Sequence, residues 1–130
     1  MAQDTKEIHN KKLNYIKGIW GESITCAYLE KEGFIILDRN YRCRSGEIDI
    51  IAFNGEMICF VEVKMRNNTK FGFGSESVGF TKINRIKRSA YYYFNTQVIS
   101  KNKQQYKIRF DICEITRYKR IYYCRLIKNI

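Results

Sequence analysis

The chain has 130 residues, 45% of them hydrophobic and 15% aromatic, which suits one packed domain and argues against intrinsic disorder. Its 24 Lys and Arg stand against 13 Asp and Glu, a net charge of +11, and a field of that size draws polyanions: nucleic acid or an anionic membrane surface. No apolar run approaches a spanning helix and no signal-peptide core is present, while five scattered cysteines without a CxxC pair and a lone His9 exclude paired zinc sites, disulfide frameworks and His-based triads. A cytoplasmic protein with reduced cysteines, and no membrane partner, is expected.

Residues 1–12 read as a loose polar leader, and 13–130 as the single domain. Leu13, Ile16, Trp20, Ile24 and Ala27 carry a helical period through Lys31, stopped by Gly33. A short strand follows from Phe34 to Leu37, and Arg39 to Ser45 reads as a basic turn or irregular link. Ile48, Ile50 and Ala52 alternate with Glu47, Asp49 and Ile51 in a second strand. Asn54-Gly55 predicts a tight hairpin into Met57 to Lys64.

Residues 65–79, rich in Gly and Asn, predict a long loop. A helix from Thr81 to Asn95 and strands Lys107 to Ile115 and Ile121 to Ile127 complete the chain, with a turn near Arg117 to Lys119. The order α-β-β-β-α-β-β implies an α/β domain with a mixed sheet of about five strands flanked by helices.

The chemistry concentrates in the hairpin. Strand alternation sets Glu62 and Lys64 on one face, roughly 6.6 Å apart. With Asn54-Gly55 at the turn centre, Asp49 pairs near residue 60, one alternation from Glu62. Two carboxylates and an ammonium then converge at the strand ends. Hard oxygens hold Mg²⁺ with several waters retained; the metal offsets phosphate charge and activates a water, and a lysine orients that water. With nine Glu and fourteen Lys in the chain, an E-x-K triplet is expected about once by chance, so its placement at the end of an apolar strand carries the signal. The plain alternative is a solvated charge pair on an edge strand.

Gly21-Glu22, Arg39-Asn40-Tyr41-Arg42, Gly46-Glu47-Ile48-Asp49, Phe60-Val61-Glu62-Val63-Lys64-Met65-Arg66, Lys82 and Arg109-Phe110-Asp111 follow one another in this order. The series resembles the YraN-like family of small bacterial proteins. The resemblance implies a restriction-endonuclease-like fold, similar to archaeal Holliday junction resolvases, with a PD-(D/E)xK-type nuclease site. Carried over by position, it implies Glu22, Asp49, Glu62 and Lys64 as the catalytic set. Asp49 and Glu62 are then the ligands of Mg²⁺ or Mn²⁺, with the Val63 backbone carbonyl and a supporting Glu22. The proline usual before the aspartate is replaced by Ile48.

Arg66 continues the Lys64 face and suits bidentate phosphate binding. Lys82 and Arg85 share one side of the second helix, and Arg42 and Arg44 lie in the basic link; all four suit sequence-independent phosphate contacts, or form an ordinary solvated face. Glu47 is either supporting or exposed. Of Tyr91, Tyr92, Tyr93 and Phe94, at least two should be core. Asp111 reads as structural. The expected function is a metal-dependent endonuclease hydrolysing phosphodiester bonds in DNA rather than RNA, branched or single-stranded forms included; a homodimer would suit a branched substrate. The alternative is a non-catalytic nucleic-acid-binding or adaptor module on the same fold.

Overall fold

The computed structural model describes residues 20–66, 80–99 and 106–130. The expected leader, the start of the first helix and residues 67–79 of the expected loop lie outside the described residues. Helix α1 (20–31) ends as anticipated: Gly33, at φ 93°, adopts the left-handed conformation, and the Phe34 and Gly33 amides donate to the Leu29 and Glu30 carbonyls at 2.9 and 3.1 Å. Five strands follow: β1 (Ile35–Cys43), β2 (Gly46–Phe53), β3 (Met57–Arg66), β4 (Lys107–Tyr118) and β5 (Ile121–Ile127). Helix α2 (Phe80–Tyr93) lies between β3 and β4 in sequence and runs on as a π-helical stretch, Phe94–Ile99.

The strands form one sheet in the order β1-β2-β3-β4-β5, with β3 and β4 parallel and the other neighbours antiparallel. This is the expected mixed α/β core of the restriction-endonuclease type, in the order α-β-β-β-α-β-β. A parallel β3–β4 pair requires a long crossover, and α2 lies in it. One sheet face buries Ile50, Ala52, Cys59, Val61, Cys113 and Ile115 with Cys26 and Leu29 of α1. The opposite face buries Ile51, Ile58 and Phe60 with Ile86, Ala90 and Tyr93 of α2. Tyr93 meets Tyr41 and Phe60 edge-on at 5.0 and 6.1 Å, and Phe94 packs beside this cluster, so two of the four consecutive aromatics are core while Tyr91 and Tyr92 are exposed.

Four details differ from the sequence expectation. The Arg39 to Ser45 link is largely strand: β1 continues to Cys43, with a pairing shift between Ile36 and Asp38. As an edge strand exposed along much of its length, β1 lacks the apolar alternation that identifies a strand. The β2–β3 turn is centred one residue later than Asn54-Gly55: the Asn54 amide donates to the Met57 carbonyl at 3.2 Å across Gly55-Glu56. The Asn54 side chain accepts from the Glu56 and Met57 amides at 3.0 and 2.8 Å, and Phe53 pairs with Ile58. The resulting register sets Ile50 against Val61, so Asp49 faces residue 62 rather than 60.

Alternation also breaks at Asp49, because Ile48 packs with the α2-side cluster and Ile50 with the α1-side cluster. Finally, β3 runs to Arg66 and β4 to Tyr118, beyond the expected ends. The five cysteines are all free, and burial pushes the Cys59 and Cys113 thiols up to about 11 and about 12, far from nucleophilic thiolates.

Candidate active site

The site lies where the sheet comes apart. Backbone pairing between β2 and β3 extends from Phe53↔Ile58 to Ile50↔Val61 and stops there, while β3 stays paired with β4 to its end. Beyond Val61 the β2-facing amide of Val63 has no strand partner, and it donates to Oδ2 of Asp49 at 2.9 Å. Amide and carbonyl of one strand residue face the same neighbour, so the Val63 carbonyl opens into the same gap. Asp49 thus replaces a missing rung of the sheet with a carboxylate.

The left-handed Asn40, at φ 53°, stands on β1 opposite this point, between the Arg39↔Ile50 and Tyr41↔Ile48 pairs. Asparagine tolerates that conformation better than most residues, and its amide donates to Oε2 of Glu22 at 3.0 Å. Glu22 reaches the gap because Gly21 lets α1 lie close on β3: a Cβ on Gly21 would sit 2.8 Å from Met65 Sδ and 3.2 Å from Val63 Cγ1.

Glu62 approaches from the other face, the one that carries Phe60. It is 8% exposed, and its Oε1 meets Nζ of Lys82 at 2.6 Å. The two carboxylates are electrostatically joined. Burial first, and then the neighbouring Glu62 charge, push the Asp49 carboxyl up to about 7; the Val63 amide opposes the rise, and Glu22 adds a smaller push. Burial opposes the charged form of Lys82, but the hydrogen bond and charge of Glu62, joined by Asp49, outweigh it and raise the ammonium above its ordinary value.

Lys64, half-buried on the Glu62 face, pairs in register with Glu114 of β4, a residue 7% exposed, and Glu114 pairs in register in turn with Arg125 of β5. Lys64, Glu114 and Arg125 therefore form one row across three strands.

The structure brings Asp49, Glu62, the Val63 backbone and Lys64 together and sets Glu22 at the rim. Among the described residues no group of three His, Cys, Asp or Glu side chains is arranged to hold an ion; Glu22 is engaged by the Asn40 side chain. A hard divalent ion suits what remains. Two carboxylates and a carbonyl are oxygen donors of the kind Mg²⁺ takes while keeping several waters, and the strain on Asp49 is that of negative charge short of compensation.

Lys82, expected on the substrate backbone, instead touches a site carboxylate. Helical spacing places it on the right side of α2 but carries no signal for its partner on β3. Arg85 is exposed on the same helix, Arg42 forms a surface pair with Glu47 at 3.2 Å, and Arg44 is exposed in the β1–β2 turn. Glu47 is thus exposed. The side chain of Arg66 lies outside the described residues. Asn40 was legible only as part of a motif; its left-handed backbone is what reveals it.

Asp111 is structural. Fully buried, it receives Arg109 Nε at 2.9 Å, Arg109 Nη2 at 2.9 Å and the Asn129 amide at 3.1 Å. No helix among the described residues is long and apolar enough to cross a membrane.

The match to an uncharacterised family, UPF0102, covers residues 21–115, from the glycine beside Glu22 to the row beyond Glu114. A UPF0102 protein of Clostridium perfringens is 47% identical over 105 residues, 81% of this chain and 83% of the relative. One from Dictyoglomus turgidum is 48% identical over 110 residues, covering 83% and 85%, and one from Clostridium tetani 41% over 123 residues, covering 93% and 94%. The chain belongs to the UPF0102, YraN-like, family.

Proposed function

We propose that this protein is a Mg²⁺- or Mn²⁺-dependent endonuclease that hydrolyses phosphodiester bonds in DNA, branched and single-stranded forms included. The observation that carries the reading is the Asp49–Glu62 pair, one half-buried and the other buried, at the point where β2 and β3 separate, with Lys64 on the Glu62 face. A divalent ion, when bound, would neutralise phosphate charge and lower the pKa of a water.

The chain's own groups do the rest. Asp49, held by the Val63 amide, presents its other oxygen with Glu62 and the Val63 carbonyl as a fixed donor set. Lys64 places a cation next to that set, suited to orient the attacking water and offset charge in the transition state. Lys82 holds Glu62 in position through their ion pair. Arg42, Arg44 and Arg85 supply exposed cations for the phosphate backbone, without sequence selectivity.

The test is cleavage of a panel of duplex, single-stranded and junction DNA, with RNA beside it, by purified protein with Mg²⁺ or Mn²⁺. Metal-dependent cleavage lost in both Asp49→Ala and Lys64→Ala is the expected result; activity surviving either substitution sinks the site assignment.

One observation favours a second reading. Lys82 already supplies Glu62 with a cation at 2.6 Å, as a non-catalytic nucleic-acid-binding module with no metal would require. Such a module binds DNA or RNA in a salt-dependent way and cleaves neither under any metal.

A further inference from the structure

From Ile115 to the C-terminus the chain contains five Lys and Arg and no Asp or Glu. Three of those cations crowd the β4–β5 hairpin tip. Tyr118 pairs with Ile121, so the turn is the two residues Lys119 and Arg120, both exposed and both left-handed at φ 48° and 66°; exposed Arg117 precedes them. A two-residue turn of this shape ordinarily takes Asn-Gly, which adopts positive φ at little cost. Here two long cationic side chains occupy it instead. Strain retained in a functional-looking surface is grounds for assigning it a role.

The hairpin is also placed to act. Tyr122, Cys124 and Leu126 pack toward α1, so Ile121, Tyr123 and Arg125 point to the opposite face, which carries Glu62 and Lys64. Ile121 and Tyr123 are 55% and 53% exposed, large apolar groups left in water beside a row of charge. Counting four residues at the usual strand rise, the tip lies roughly 14 Å beyond the Lys64–Glu114–Arg125 row. The β1–β2 turn, with Arg44, projects from the same end of the sheet. Basic turns therefore stand on both sides of the gap that holds Asp49 and Glu62.

We propose that the β4–β5 hairpin is a nucleic-acid-binding arm. Lys119 and Arg120 contact phosphates leading away from the Asp49–Glu62 site, and Tyr123 stacks on an unpaired base; Arg117 lies over the Tyr122 ring on the α1 side and is not part of these contacts. The proposal deepens the nuclease reading and rests on it for the position of the scissile phosphate. Stacking on an exposed sheet tyrosine needs a base free of its partner, so the arm favours single-stranded segments over closed duplex. Continuity with the carboxylate site favours nucleic acid over a lipid surface as the occupant.

The test uses full-length protein in EDTA, titrated by fluorescence anisotropy against a fluorescein-labelled DNA of about 30 nucleotides, single-stranded or paired. The Lys119→Asn, Arg120→Gly double variant installs the turn the backbone prefers, so it should fold at least as stably as wild type, which its urea midpoint checks. We expect about tenfold weaker binding and a log affinity against log salt slope shallower by about 1.5. Tyr123→Ala should weaken single-strand binding about tenfold and duplex binding far less, with Tyr123→Phe retaining wild-type affinity.

Unchanged affinity and slope in the double variant overturn the arm. If the double variant still cleaves DNA with Mn²⁺ in that case, and Lys64→Ala does not, the nuclease reading stands without it. A wild-type protein that binds no DNA overturns both. Equal binding and equal losses on phosphatidylglycerol vesicles overturn the arm as a nucleic-acid surface.

Discussion

Asp49→Asn should make the metal-free protein more stable, and only above acidic pH. The carboxyl titrates near pH 7 in the fold against 3.8 as an ordinary aspartate, chiefly because it is buried and beside Glu62. A raised acid leaves stability intact below pH 3.8, where it is neutral folded and unfolded. Between pH 3.8 and about 7 the unfolded chain ionises first, and stability falls by about 1.4 kcal/mol per pH unit. Above pH 7 the loss levels off at a ceiling of about 4 kcal/mol.

The asparagine amide would keep an oxygen for the Val63 N–H and remove the charge. Its advantage should therefore be near zero at pH 3.5 and about 2–4 kcal/mol at pH 8.5. Urea unfolding of both proteins in EDTA across that range reads it directly, as a midpoint shift of about 1 M or more at the alkaline end. A variant equal to or weaker than wild type at pH 8.5 would refute the claim that Asp49 is an under-compensated carboxylate.

Two further predictions concern packing away from the site. Arg109→Ala leaves the fully buried Asp111 without its bidentate partner and should cost about 3–5 kcal/mol in urea unfolding, whereas a loss under 1 kcal/mol would show the pair to be ornamental. Ser89 is buried in α2 with no hydrogen-bond partner for its hydroxyl among the described residues, so Ser89→Ala should be neutral or stabilising by about 1 kcal/mol; a clear destabilisation would reveal a partner for it.

The strand pair of the candidate site was legible because its signals are local: an apolar strand ending in Glu62-Val63-Lys64 and an Asn-Gly turn returning from Asp49. Its register was not. The Asn54 side chain and backbone close a turn centred one residue later than the dipeptide implies, and the resulting two-residue change of register moves Asp49 opposite Glu62. Hydrophobic alternation also assumes an unbroken strand. The break at Asp49, which sends Ile48 and Ile50 to opposite sides of the sheet, is the feature that opens the gap.

Contacts between elements distant in sequence were beyond any periodicity. Lys82 shows the helical spacing of a solvated basic face, and only the β3–α2 packing puts its ammonium on Glu62. Likewise Arg109-Phe110-Asp111 reads as an alternating strand; that Asp111 clasps the Asn129 backbone follows from the path of the C-terminal residues after β5. Glu22 was marked by resemblance rather than by pattern, and Gly21 explains physically why α1 comes close enough to bring it there.

The central claim is that Asp49 and Glu62 together hold a divalent cation. Calorimetric titration of Mn²⁺ into the full-length protein at pH 8, where Asp49 is ionised, tests it most directly. One saturable site per chain in the wild type, absent in Asp49→Ala, is the expected result. A wild-type protein that takes up no Mn²⁺, or an Asp49→Ala variant that binds it undiminished, would contradict the account.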